Sequence, residues 1–144
     1  MRRSGLTLLE ILLVMALIAM LAGTGFLAVG SIRAKQALAV SAEEMAAAFK
    51  RAHIYSREGK DDKAWGLKYR DNRSYMLVSG ERQDFRAEAE YTVTLPAAIT
   101  SGPFEVWFDP GTGGSAADVA VKLGTPRGNT EEVRVSSSGV VEIR

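Results

Sequence analysis

A single carboxylate stands inside the most apolar stretch of this chain. From Leu6 to Ile32 the only ionisable side chain is Glu10, and none follows it before Arg33. A carboxylate in such surroundings loses hydration unless it lies near a polar boundary or meets a cation, so Glu10 needs a partner or a purpose. Other residues able to do chemistry are sparse. His53 is the only histidine and no cysteine is present, which removes disulfides, zinc thiolates and thiol nucleophiles together. Asp109 and Asp118 bracket the glycine-rich segment Asp109-Pro-Gly-Thr-Gly-Gly-Ser115, but two carboxylates across several glycines make a poor calcium cage. That segment also lacks the Lys-Ser/Thr pair and the strand-to-helix setting of a phosphate loop. No spacing suggests Ser-Lys or paired-carboxylate hydrolysis, so no catalytic residue is assigned and neither cofactor nor metal is expected.

The elements that position these residues follow from periodicity. As a helix, Ile11 to Ile32 would cover roughly 30 Å, one bilayer crossing. The run is too long for a cleaved secretory signal and no A-x-A pattern follows it. Arg2 and Arg3 precede it, which by the positive-inside rule predicts a single membrane crossing with a cytoplasmic N-terminus and the C-terminal part outside. Gly23, Thr24, Gly25 and Gly30 are small residues that weaken the helix yet permit close helix approach. From residue 33 to about 58 the pattern turns amphipathic: Leu38, Ala42, Met45, Phe49 and Ala52 form an apolar stripe expected to lie against a sheet. His53 sits on this helix as a surface or partly buried residue.

Polar, turn-prone residues 59–63 end the helix, and the period then drops to two. Trp65, Leu67 and Tyr69, then Arg70 to Arg73, then Tyr75 to Val78 read as a hairpin. Residues 80–90 read as an exposed charged loop or short edge. Further strands are expected over Tyr91–Leu95, Phe104–Phe108 and Asp118–Leu123, and a terminal hairpin pairs Glu132–Ser136 with Gly139–Ile143. The predicted fold is α+β: a long N-terminal, transmembrane helix packed on a small antiparallel β domain.

Gly5-Leu6-Thr7-Leu8-Leu9-Glu10, behind a short basic leader and ahead of an apolar helix, resembles the class III signal of type IV pilins and pseudopilins. The order of the later strands is similar to minor pseudopilins of the general secretion pathway protein H type and their FimT-like relatives. The resemblance implies a single-pass bacterial inner-membrane protein with residues 1–5 as leader, 6–32 as transmembrane helix, 33–58 as its amphipathic continuation and 59–144 as a periplasmic antiparallel β domain. It implies that a prepilin peptidase cuts between Gly5 and Leu6, that Leu6 becomes N-methylated, and that Glu10 meets the N-terminal amine of a neighbouring subunit. A carboxylate matched to an ammonium is tolerable in low dielectric where a lone one is not, which would make the pair a register device. Leu6 departs from the Phe most often found at that position. The implied partners are other pseudopilins or pilins at a hetero-oligomeric filament tip, the peptidase, an inner-membrane assembly platform and secreted cargo.

Composition bears on the alternatives. Eighteen Lys and Arg against 17 Asp and Glu give a net charge of +1, with signs interleaved, so no nucleic-acid interface is expected. A minor type IV pilin acting in pilus assembly or competence shares the same signal and is the alternative reading. Many major pilins close their C-terminal region with a disulfide that this chain cannot make. The expected role is structural, as a minor pseudopilin of type II secretion, and not enzymatic.

Overall fold

The computed structural model describes residues 7–81 and 88–144, the side chains of residues 22–29 excepted. Residues up to Arg33 and residues Ala34–Arg144 form separate compact units. Helix α1 (Leu8–Arg57) starts where Thr7 caps it: the Glu10 N–H reaches the Thr7 hydroxyl at 3.3 Å and the Thr7 carbonyl at 3.1 Å. One of the donors that every helix start leaves open is thereby engaged, and the Ile11 N–H makes the first regular helical bond, to the Thr7 carbonyl at 3.3 Å. The helix stops at Gly59, whose φ of 66° is the left-handed conformation glycine adopts without a Cβ penalty. A one-turn 3-10 helix, Lys60–Asp62, leads from it into the strands.

Eight strands follow: β1 (Ala64–Asp71), β2 (Ser74–Gly80), β3 (Glu88–Thr94), β4 (Ala98–Ile99), β5 (Glu105–Phe108), β6 (Val119–Gly124), β7 (Thr130–Val135) and β8 (Val141–Ile143). They make two four-stranded antiparallel sheets, ordered β3-β2-β1-β5 and β4-β6-β7-β8. At the β1–β2 turn the Asp71 carboxylate accepts the Arg73 N–H at 2.8 Å and the Ser74 hydroxyl. Those bonds, the hydroxyl first, hold its pKa below the usual carboxylate range. Across β1, Gly66 lies so close to β5 that a Cβ there would stand 2.3 Å from the Val106 carbonyl oxygen, so no larger residue fits this pairing.

One cluster of buried side chains unites Leu38, Ala42, Met45, Phe49 and Ala52 of α1 with Trp65 and Leu67 of β1, Tyr75 and Leu77 of β2, Val106 and Phe108 of β5, and Val121, Leu123, Val133 and Val135 of β6 and β7. The apolar stripe expected from spacing is thus in the core, but it shares that core with two sheets, not one.

The fold expectation needs a second correction. Among the described residues no helix is long and apolar enough to cross a membrane. The described residues of this mixed α+β fold therefore include no transmembrane N-terminal helix, and the single-pass inner-membrane placement with a periplasmic domain is not supported. Within α1 the apolar segment opens on a carboxylate, Glu10, in its first turn, and charged residues return from Arg33.

Candidate functional site

The processing pair Gly5 and Leu6 lies outside the described residues, as does the leader before it. Glu10 is described: it occupies the first turn of α1, exposed, three residues after the capping Thr7. Thr7-Leu8-Leu9-Glu10 has the spacing of a capping box, in which Ser or Thr at the cap and Glu three positions on serve the helix start. A carboxylate here also complements the positive end of the helix dipole. Glu10 thus has a local use independent of any partner subunit. The signal was present in the letters, since T-x-x-E before an apolar run is itself a helix-start signature.

Around Glu10 the described apolar side chains of α1 are bare. Leu8, Leu9, Leu12, Leu13, Met15, Leu17, Ile18, Met20 and Leu21 are each more than half exposed. Residue for residue this is core material on the surface, and contiguous apolar surface of this kind marks an interaction site.

The second part of the helix is held by two serines that the apolar stripe does not reveal. The Ser41 hydroxyl donates to the Ala37 carbonyl at 2.7 Å and accepts the Ala97 N–H at 2.9 Å. One helical face further on, the Ser56 hydroxyl accepts the Trp65 N–H at 2.8 Å, while the Ser56 carbonyl accepts the Gly111 N–H at 2.9 Å. Both serines are fully buried. They satisfy strand-lead donors that would otherwise be orphaned against the helix.

His53, half-buried, meets the Phe108 ring edge-on with 5.6 Å between ring centres. A Cβ at Gly113 or Gly139 would come within 2.6 Å or 2.5 Å of its ring, so both loops rest directly on the imidazole. The histidine is a packing post between helix and loops. Asp109 donates its N–H to the Gly114 carbonyl, and one Asp118 carboxylate oxygen accepts the Ser137 N–H at 2.6 Å, which ties the latter carboxylate to the terminal hairpin. Among the described residues no group of three or more His, Asp or Glu could hold a metal ion.

The described surface of the Ala34–Arg144 unit carries recesses. One of about 390 Å³ lies between α1 at Ala34 and Ala37, the β1–β2 turn, Pro96–Ala98 and the β6–β7 turn. Another, of about 250 Å³, is lined by Lys68, Tyr69, Pro103, Phe104 and Glu105. In the smaller one the charges are already spent on each other, with Lys68 and Glu105 3.4 Å apart.

No protein-family model, curated protein or solved structure matches this chain.

Proposed function

We infer that the chain is a structural subunit of a pilin-like filament, a minor pseudopilin of a type II secretion pseudopilus, cut by a prepilin peptidase between Gly5 and Leu6. One observation carries the reading: α1 opens with a capped Thr7-Leu8-Leu9-Glu10 turn and continues into large apolar side chains that are mostly exposed among the described residues. Equivalent helices of neighbouring subunits supply the missing apolar surroundings, and the Glu10 carboxylate meets the amine of a neighbour's first residue. Catalysis has no part in this role.

Mass and N-terminal sequencing of the protein from its native host test the processing step. A chain starting at methylated Leu6 is the expected result, and an intact Met1 in a host with an active prepilin peptidase overturns the reading. The assembly role of Glu10 is separable from its helix-start role by substitution. Glu10→Gln keeps the capping spacing and removes the charge, so it should fail to incorporate into filaments as fully as Glu10→Ala while α1 remains helical. Normal incorporation of the Gln variant would leave Glu10 with the cap alone.

A further inference from the structure

We propose that the recess between Ala34, Ala37, Pro96 and Pro126 is a binding site for a small apolar ligand that carries one carboxylate. Its volume of about 390 Å³ falls within the range of small-molecule pockets, roughly 300–1,000 Å³, and its walls are mostly Ala and Pro carbon. Among the described residues that line it, Arg73 is the only ionisable one. No carboxylate among the described residues pairs with this guanidinium. One Nη2 hydrogen bond, 2.8 Å to the Pro96 carbonyl, tethers it beside the recess and leaves most of its five donors free. The free donors form a planar fork, the shape that a carboxylate accepts in two parallel bonds.

A second polar group lies in the same wall. The Thr125 hydroxyl is buried and has no hydrogen-bond partner, although buried hydroxyls are ordinarily satisfied. It is the only such side-chain atom among the described residues. The walls are also preformed. Leu95 donates to the Arg73 carbonyl and Ile99 to the Asn72 carbonyl, each at 2.7 Å, and the β6–β7 turn is closed by a Thr125 to Asn129 backbone bond of 3.0 Å. A rigid, apolar, singly cationic pocket favours a monoanion with a hydrocarbon body over a phosphate dianion, which needs more positive charge than one arginine brings. Fatty acids and the free C-terminus of an apolar peptide share this chemistry.

Calorimetry and amide shifts of the full chain with octanoate, octanol, acetyl-Ala-Val-Leu and its C-terminal amide decide the matter. Octanoate and the peptide acid should bind about tenfold or more tightly than octanol and the amide, because only the acids engage the guanidinium. The larger of the two acid affinities tells which source the site suits. Shifts should centre on Ala37, Ala97 and Thr125. Arg73→Gln should weaken the acids about tenfold and leave octanol unchanged, with Arg73→Lys restoring part of the loss. Ala37→Leu, which fills the recess with a good helix former, should abolish binding of the acids. Equal affinity for octanoate and octanol, no binding by either acid, or octanoate binding untouched by Ala37→Leu would each overturn the proposal, the last by placing the ligand on the exposed apolar turns of α1 instead.

Discussion

Two stretches of α1 use the same kinds of side chain and meet opposite fates. Between Leu8 and Leu21 the apolar residues point in every direction around the helix, and Leu13 is 57% exposed. Between Leu38 and Ala52 the large apolar residues other than Val40 recur on one side, with Glu43, Glu44, Lys50 and Arg51 elsewhere, and Phe49 is 0% exposed. A one-sided stripe can be satisfied by a single neighbouring layer, which the strands of the same chain provide. A helix that is apolar all round needs apolar neighbours all round. The comparison therefore teaches that helix composition alone does not decide burial; the angular spread of the apolar residues decides what kind of partner can supply it.

The largest effect should separate the two stretches energetically. Phe49→Ala removes a fully buried ring that packs on Phe104, their centres 6.1 Å apart, and should lower unfolding stability by about 3–5 kcal/mol. Leu13→Ala, in the bare stretch, should change it by less than about 0.5 kcal/mol. Urea denaturation of both variants, monitored by tryptophan fluorescence, is the measurement, Trp65 being a buried reporter in the core. Comparable losses would mean that Leu13 is as much a part of the folding core as Phe49, and the contrast would fail.

Within the buried stretch itself, polar contacts should count for less than apolar ones but more than their number suggests. Ser41→Ala leaves the Ala97 N–H without its acceptor in a buried position, an omission worth about 1–3 kcal/mol. Hydrogen exchange sharpens the attribution. In the variant the Ala97 amide should lose protection beyond the global change, whereas an equal fall across all core amides would show that Ser41 matters only as packing volume.

Much of this second stretch was legible in the sequence, and the reason is local periodicity. The five stripe residues, the β1–β2 hairpin and the terminal pairing of β7 with β8 are all short-range patterns, and each is in the structure close to where spacing places it. The division into two sheets was not legible. β5 returns across a long separation to pair with β1, and β4 is only Ala98–Ile99, too short to show alternation. β3 starts at Glu88, earlier than the apolar pattern from Tyr91 suggests, because its first residues alternate Glu with Ala and are exposed. The recess beside Arg73 draws its walls from four separate places in the chain, so no window of sequence contains it. Conversely the transmembrane reading, which rested on hydropathy along one run, is not supported: among the described residues no helix is long and apolar enough to cross a membrane.

The smallest effect appears only at alkaline pH and tests how dry the buried face is. Tyr75 is fully buried on β2, and burial first, then the nearby Glu44 carboxylate, pushes its phenol well above the ordinary tyrosine value. A group whose pKa is higher in the folded chain than in the unfolded one contributes stability that is fully present below the unfolded pKa of about 10 and is lost as the pH rises toward the folded value. The chain should therefore be insensitive to this group at neutral pH and lose about 1 kcal/mol from it by about pH 11. Other groups titrate in the same range, Lys63 beside Glu88 among them, so the informative quantity is the difference between the wild type and Tyr75→Phe as a function of pH. That difference should be flat up to about pH 10 and then change in favour of the Phe variant. A flat difference throughout would mean that water reaches the phenol, and that the strand side of the helix stripe is less sealed than the contrast with the bare Leu8–Leu21 stretch requires.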